Sequence, residues 1–198
     1  VKDNEMLRII ERSIAYLDKR FAAEYRRNED YLNQSSGINR NHLDSDIVHY
    51  LYMRSFFPEI SMTPATQAAV DYYIRQQGSK HWTSLGLYAK GMMVLVQFRS
   101  KNLTVANDIL NSLRENSITS EELGMYWKEN VAGWYWHESP VETQALMIEA
   151  FAEIESQAPY SRQTTVDELR IWLLKNKQTS QWKTTRATSE AIYALLLN

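Results

Sequence analysis

The chain has no cysteine, only six glycines and four prolines, and no block of like charge in its 198 residues. Each of these absences excludes something. Without cysteine there are no disulfides, no thiolate nucleophile and no zinc–thiolate site. The compartment stays open, because oxidising environments permit disulfides without requiring them. So few glycines and prolines cannot supply the many turns of a β-sandwich, and composition favours helices. The formal net charge is −2, and without a basic cluster nothing points to nucleic acid or to an acidic membrane surface. No apolar run approaches the roughly 18 residues of a membrane span. None of the four histidines takes part in a His-Glu-x-x-His or comparable ligand spacing, so no metal is expected. The length suggests one domain over residues 1–198, able to bury a substantial core. The sequence carries no signal peptide and ends within a helical pattern, as a piece of a longer protein would.

Against these absences stands a repeat headed by tryptophan. Trp82 is followed at fixed offsets by Leu87, Gly91 and Met92, Trp136 by Val141, Ala145 and Leu146, and Trp182 by Ala187, Ala191 and Ile192. The copies lie 54 and 46 residues apart, so the length differences fall in loops. A weaker copy starts at His42, with Ile47 and Leu51. Such a period means one supersecondary unit used repeatedly, each copy burying its apolar face on the next. The small residue at the ninth offset is what close helix–helix approach requires.

Helix signals agree with that period. Leu7, Ile10, Ile14, Leu17 and Phe21 form one stripe, opposite Arg8, Glu11, Arg12, Asp18 and Lys19. A loop is expected at Asn28–Asn41. A second helix is expected from Asp44 to Phe57, stopped by Pro58. A third opens at Thr63-Pro64 and is closed by Gly78. Ser84–Arg99 reads as a buried helix, and Thr104–Asn116 as an amphipathic one through Val105, Ile109 and Leu113. Ser139-Pro140-Val141-Glu142 predicts a capping box and a helix to about Ile154. Thr165 and Thr184 or Thr185 open two more. Met125–Trp136 alternates loosely and fits a short β-hairpin. The eight helices alternate, odd ones amphipathic and even ones apolar. That is the pattern of outer and inner helices in an all-α stack of about four antiparallel α-hairpins, a partial α/α toroid or an open solenoid.

Three segments resemble one family. Ser139-Pro140-Val141-Glu142-Thr143-Gln144-Ala145-Leu146 is similar to the S-x-E-V-E-M-T-x-Y-x-L-L segment of the thioester domain in alpha-2-macroglobulins and complement components. Leu169–Lys177 resembles that domain's W-L-x-x-Q-R outer helix. Gln181-Trp182-Lys183-Thr184-Thr185 stands where the family has a Gly-Gly-Phe turn, and bacterial members often carry Trp-Lys-Thr-Thr there. The resemblance covers the C-terminal half by motif and the N-terminal half only by helix pattern. It implies the last four hairpins of a six-hairpin α/α toroid. It also implies a non-enzymatic module of a large bacterial alpha-2-macroglobulin-like protein that inhibits or traps proteases. The implied partners are the other domains of the parent and a protease, the implied location is extracytoplasmic, and membrane association would come only through the parent. The family's chemistry resides in a Cys-x-Glu-Gln thioester, and a chain without cysteine cannot form one. No catalytic residue and no cofactor is therefore assigned.

The alternative is an α/α-toroid carbohydrate-active enzyme or glycan-binding domain. Trp134, Tyr135, Trp136, His137 and Glu138 form the densest aromatic cluster, and with Trp82 and Trp182 they are the candidate binding residues. Exposed aromatics beside carboxylates hold sugars, and two carboxylates about 5–10 Å apart do the acid–base work. Glu138, Glu142, Asp44 and Glu190 all lie near expected inner-helix starts, and Glu138 with Asp44 or Glu190 is the candidate pair. The competing reading is structural, because tryptophans recurring at equivalent positions fill space where each loop meets the stack. Asp44-Ser45-Asp46 resembles the acidic metal motif of toroidal terpene cyclases, but carboxylates also suit a helix N-terminus through the macrodipole. His49 reads as structural. His42 lies near the place where some family members keep a histidine that assists thioester transfer.

Overall fold

The computed structural model describes residues 2–32, 40–132, 139–156, 163–177, 182 and 184–197. These residues are mostly helical and form two compact units, 1–82 and 83–198.

The first unit holds α1 (Lys2–Leu32), α2 (Ser45–Arg54) and α3 (Pro64–Asp71). Two of its helices start as the sequence predicts. Asp44 Oδ1 accepts the Ile47 amide at 2.8 Å, and Thr63 Oγ1 accepts the Thr66 amide at 3.2 Å with Pro64 at the first helical position. Each cap satisfies a backbone donor that would otherwise lack a partner. The ends differ from expectation. Gly78 does not close α3; it keeps right-handed helical angles (φ −61°, ψ −41°) in a π-helical stretch, Tyr72–Gly78, which continues into Ser79–His81 and a 3-10 turn, Trp82–Ser84. α1 runs through Leu32, past Asn28 where the loop was expected to start.

The α1 stripe is also rotated. Leu7 and Leu17 are exposed, while Ile14, Asp18, Ala22 and Tyr25 are buried at helical spacing. Asp18, expected on the outer face, turns inward because α2 supplies partners for it. Its carboxylate accepts the Tyr50 hydroxyl at 2.7 Å and pairs with Arg54 Nε at 3.2 Å. Arg54 in turn donates to the Phe57 and Ile60 carbonyls, fixing the turn after α2. An aromatic cluster completes this core, with Phe21 stacked on Tyr50 at 3.9 Å and Tyr25 against Tyr72 and Tyr73.

The second unit contains α4 (Leu87–Arg99), α5 (Leu103–Glu115), β1 (Ile118–Ser120), β2 (Gly124–Tyr126), α6 (Pro140–Glu155), α7 (Gln163–Lys175) and α8 (Thr185–Leu196). The eight main helices match the eight expected within a few residues at most ends. α4 is buried from Gly91 through Phe98 and α6 from Glu142 through Phe151, whereas α5 buries one stripe, Ala106, Ile109, Leu110 and Leu113. α6 packs on α4, α7 and α8, and α4 also packs on α5. Within this unit, α4 and α6 are the two most extensively buried helices. Their approach is close, because a Cβ added at Gly91 would lie 3.0 Å from both Leu146 Cδ2 and Met147 Cε. That is the role expected for the small residue of the repeat.

Two local expectations are corrected. The hairpin lies earlier than 125–136: β1 and β2 pair antiparallel, with Thr119 opposite Met125, and share only Met125 and Tyr126 with the expected segment. Gly124 decides the position. Its φ of +69° suits glycine, and any Cβ there would sit 2.1 Å from the Glu168 carbonyl oxygen, so β2 can lie directly on α7. The second correction concerns the start of α6. Ser139 occupies the N-cap position and Pro140 the first helical one, but the serine hydroxyl makes no cap hydrogen bond, and Glu142 is buried.

Trp127, which the sequence reading did not single out, is almost fully buried. Its Nε1–H donates to the Leu113 carbonyl at 2.8 Å and its ring meets Phe151 at 6.4 Å. Gln144, also fully buried, donates from Nε2 to the Met125 carbonyl at 2.8 Å and the Leu169 carbonyl at 3.1 Å. One side chain thus ties the hairpin and α7 to α6.

Candidate functional site

Polar residues near the starts of three helices converge in the second unit. Tyr88 comes from α4, Glu142 from α6, and Arg186 and Glu190 from α8. An Arg186 guanidinium N–H donates to the Tyr88 hydroxyl at 3.3 Å. Burial raises the Tyr88 hydroxyl above its ordinary pKa; Arg186 opposes the shift, and the Glu190 and Glu142 charges add to it. Burial likewise raises the Glu190 carboxyl, with Arg186 opposing and the Glu149 and Glu142 carboxylates adding. Glu142 is buried on α6.

Further along α6 the charges are paired. Arg99, at the end of α4, donates to Glu153 from Nε at 2.9 Å and to Glu149 from Nη2 at 2.7 Å. Burial opposes the Arg99 charge, but the hydrogen bonds to Glu153 and Glu149 outweigh it and raise its pKa. A cavity of about 190 Å³ lies beside this triad, bounded by Glu149, Ala152, Glu153, Ser156, Tyr193 and Leu197. A pocket for a drug-sized ligand or a sugar is about 300–1,000 Å³ and largely apolar or aromatic, so this one is too small and too charged. In the first unit, a groove of about 650 Å³ runs between α1 and the start of α3, past Ala15, Ala22, Ala23 and Pro64. It is large enough, but its lining contains no aromatic ring. Its carboxylate, Asp18, is already engaged by Tyr50 and Arg54.

The cluster has one chemical property of interest. A half-buried carboxyl with a raised pKa holds its proton longer than usual, as a general acid must. Acid–base catalysis on a glycoside also needs a second carboxylate facing the same open cleft. Among the described residues Glu142 and Glu190 are brought into electrostatic range of each other, with the Tyr88 hydroxyl beside them.

The other candidates fall as follows. Trp134, Tyr135, Trp136, His137 and Glu138 lie outside the described residues. Trp182 is only 4% exposed. Its Nε1–H donates to the Leu173 carbonyl of α7 at 3.1 Å, its backbone N–H meets Thr188 Oγ1 of α8 at 3.3 Å, and the Lys177 ammonium lies 5.8 Å from its ring. That burial favours packing over ligand contact. Trp82 is half-buried in its 3-10 turn. Asp44 serves as the α2 cap. His49 Nδ1 lies 2.7 Å from the Ser45 carbonyl, and the His42 backbone N–H donates to Gln77 Oε1 at 2.9 Å. No cluster of potential metal ligands occurs among the described residues, and no described helix is long and apolar enough to cross a membrane.

Tyr88, Arg99, Glu149 and Glu153 were not singled out as site candidates in the sequence. Their signal is faint: each is a polar residue on a helix otherwise read as buried. No protein-family model matches the chain, and no curated protein or solved structure matches it significantly.

Proposed function

We propose that the chain is a non-enzymatic stacked-hairpin module, part of a thioester-domain-like α/α toroid in a bacterial alpha-2-macroglobulin-like protein. Its role there is to hold a large extracytoplasmic assembly that inhibits or traps proteases. The observation that carries this reading is the sequence resemblance of Ser139–Leu146, Leu169–Lys177 and Gln181–Thr185. The packing of the second unit supports it: α4 and α6 are buried on most sides, and Gly91 and Ala145 occupy the buried small positions. Trp182 is a packing residue in this reading, and so is the Trp-led repeat as a whole.

The alternative, a carbohydrate-active toroid, draws on Glu190, whose raised pKa and Arg186 partner suit an acid. The two readings separate in one experiment. The purified chain is assayed for cleavage and binding across a panel of polysaccharides, alongside Glu190→Gln. The module reading predicts no turnover and no saturable glycan binding by either protein. Turnover that Glu190→Gln abolishes would establish the enzyme reading instead.

A further inference from the structure

Two polar stripes meet where α6 packs on α8. On α6 the stripe is Glu142, Glu149, Glu153 and Ser156, and on α8 it is Arg186, Glu190, Tyr193 and Leu197, each at the spacing of one helix face. Electrostatics and shape both show the meeting. Glu190 senses the Glu149 and Glu142 charges, Tyr193 senses those of Glu149 and Glu153, and the cavity of about 190 Å³ is bounded from both helices.

The charges along this seam do not balance. Glu142, Glu149, Glu153 and Glu190 act there against two guanidiniums, Arg99 and Arg186. At the far end Arg99 serves both Glu149 and Glu153. At the near end Arg186 faces Glu142 and Glu190 while donating to the Tyr88 hydroxyl. Each end is thus left with one negative charge in excess. Glu142 is the plainest case: it is only 7% exposed, and among the described residues it makes no hydrogen bond or salt bridge. A carboxylate buried in that state is costly. The Glu190 carboxyl registers the same excess, since burial and the Glu149 and Glu142 charges raise its pKa against the pull of Arg186.

The missing charge has a recognisable form. The carboxylates do not converge on one point as metal ligands do, and no potential metal cluster occurs among the described residues. The cavity instead offers the half-exposed Tyr193 ring and the Leu197 side chain beside two carboxylates, which suits an alkyl stem ending in an organic cation. We propose that the α6–α8 seam binds a partner segment carrying two basic side chains about 10 Å apart, the axial distance from Glu142 to Glu149. One pairs with Glu142 and Glu190, and the other enters the cavity beside Glu149, Glu153 and Tyr193. In an extended peptide that separation falls between residues i and i+3, at about 3.3 Å per residue. The site draws on neither protease trapping nor glycan chemistry, so it stands or falls apart from both readings above.

The test titrates the peptide acetyl-Arg-Gly-Ser-Arg-amide into the isotopically labelled chain at fixed ionic strength, followed by amide chemical shifts. The account predicts saturable shifts in residues 142–156 and 186–197 with a Kd below about 1 mM, and binding at least about tenfold weaker for the same peptide with citrulline, the neutral isostere, in place of arginine. Glu142→Gln should weaken binding about fivefold or more and leave Tm unchanged or higher, because it removes a buried charge that has no counter-charge. Glu190→Gln, at a half-buried position, should weaken binding in the same way and keeps the test open if Glu142→Gln folds poorly. Absence of saturable shifts would overturn the proposal, as would equal binding of the citrulline peptide or undiminished binding by both variants. Spermidine binding more tightly than the peptide would also overturn it, by making a free polyamine the ligand.

Discussion

Removing the Trp182 side chain should cost the second unit much of its stability. The residue is 4% exposed; its indole N–H donates to the Leu173 carbonyl of α7 at 3.1 Å, its backbone N–H to Thr188 Oγ1 of α8 at 3.3 Å, and the Lys177 ammonium lies over its ring. Of these links, the 3.3 Å bond comes from the backbone N–H and survives substitution. Burial of an indole, at roughly 150–250 Å² and about 25 cal/mol per Å², is worth about 4–6 kcal/mol. Partial collapse of the site brings the expected loss for Trp182→Ala to about 3–5 kcal/mol. Trp182→Phe keeps most of the apolar area but leaves the Leu173 carbonyl without its donor, for a loss of about 1–3 kcal/mol. For a unit of this size each kcal/mol moves Tm by roughly 2–8 °C, so calorimetry should resolve the two variants in that order. A Trp182→Ala protein with unchanged Tm and altered binding to a glycan or peptide array would refute the packing argument.

Five further outcomes follow from the geometry. Gly124→Ala should destabilise the chain by more than about 2 kcal/mol in urea titration, because the residue has positive φ and its Cβ would meet the Glu168 carbonyl at 2.1 Å. Gly91→Ala should change stability by less than about 1 kcal/mol: the Leu146 and Met147 side chains, Leu146 Cγ included, must give by a few tenths of an ångström, which offsets the helix-propensity gain of about 1 kcal/mol. Gly91→Leu should be strongly destabilising by the same assay. Asp18→Asn should destabilise the first unit by about 3 kcal/mol, since Arg54 would remain buried without its counter-charge; an unchanged urea midpoint would contradict this. Glu190 has a folded pKa above its unfolded value, so the folded state binds the extra proton and stability falls as pH rises from 4.5 through the folded pKa. Glu190→Gln should therefore flatten the stability–pH curve over that window, and a curve parallel to wild type would show that the carboxyl is not desolvated as described.

Helix identity was legible because apolar periodicity and caps are local. Asp44, Thr63-Pro64 and Thr184 each begin a helix as their side chains dictate. The burial of α4 and α6 was legible for a similar reason, since a helix apolar on all sides has to be buried. What escaped was anything that depended on a partner distant in sequence. Asp18 looks like a surface charge until Arg54, 36 residues on, is placed beside it. Gly124 looks like any turn glycine until α7 is laid across it. Trp127 carries none of the repeat's spacing, so its pairing with the Leu113 carbonyl had no sequence signal. The candidate site divides the same way: Glu142 and Glu190 were visible as residues near inner-helix starts, but Tyr88 and Arg186 entered only once those helices were placed together. The Gly78 stop failed because the chain widens into a π turn there, with Gln77 buried and bonded to the Tyr72 hydroxyl at 3.1 Å.

Protease trapping by the complete gene product is the most direct test of the proposed role. The protein carrying these residues is incubated with a broad-specificity endopeptidase, and residual cleavage is followed on casein and on a small chromogenic peptide in parallel. A trapping assembly should suppress casein cleavage while leaving peptide cleavage largely intact, because the enclosed protease still admits small substrates. Equal cleavage of both substrates with and without the protein would contradict the proposed function.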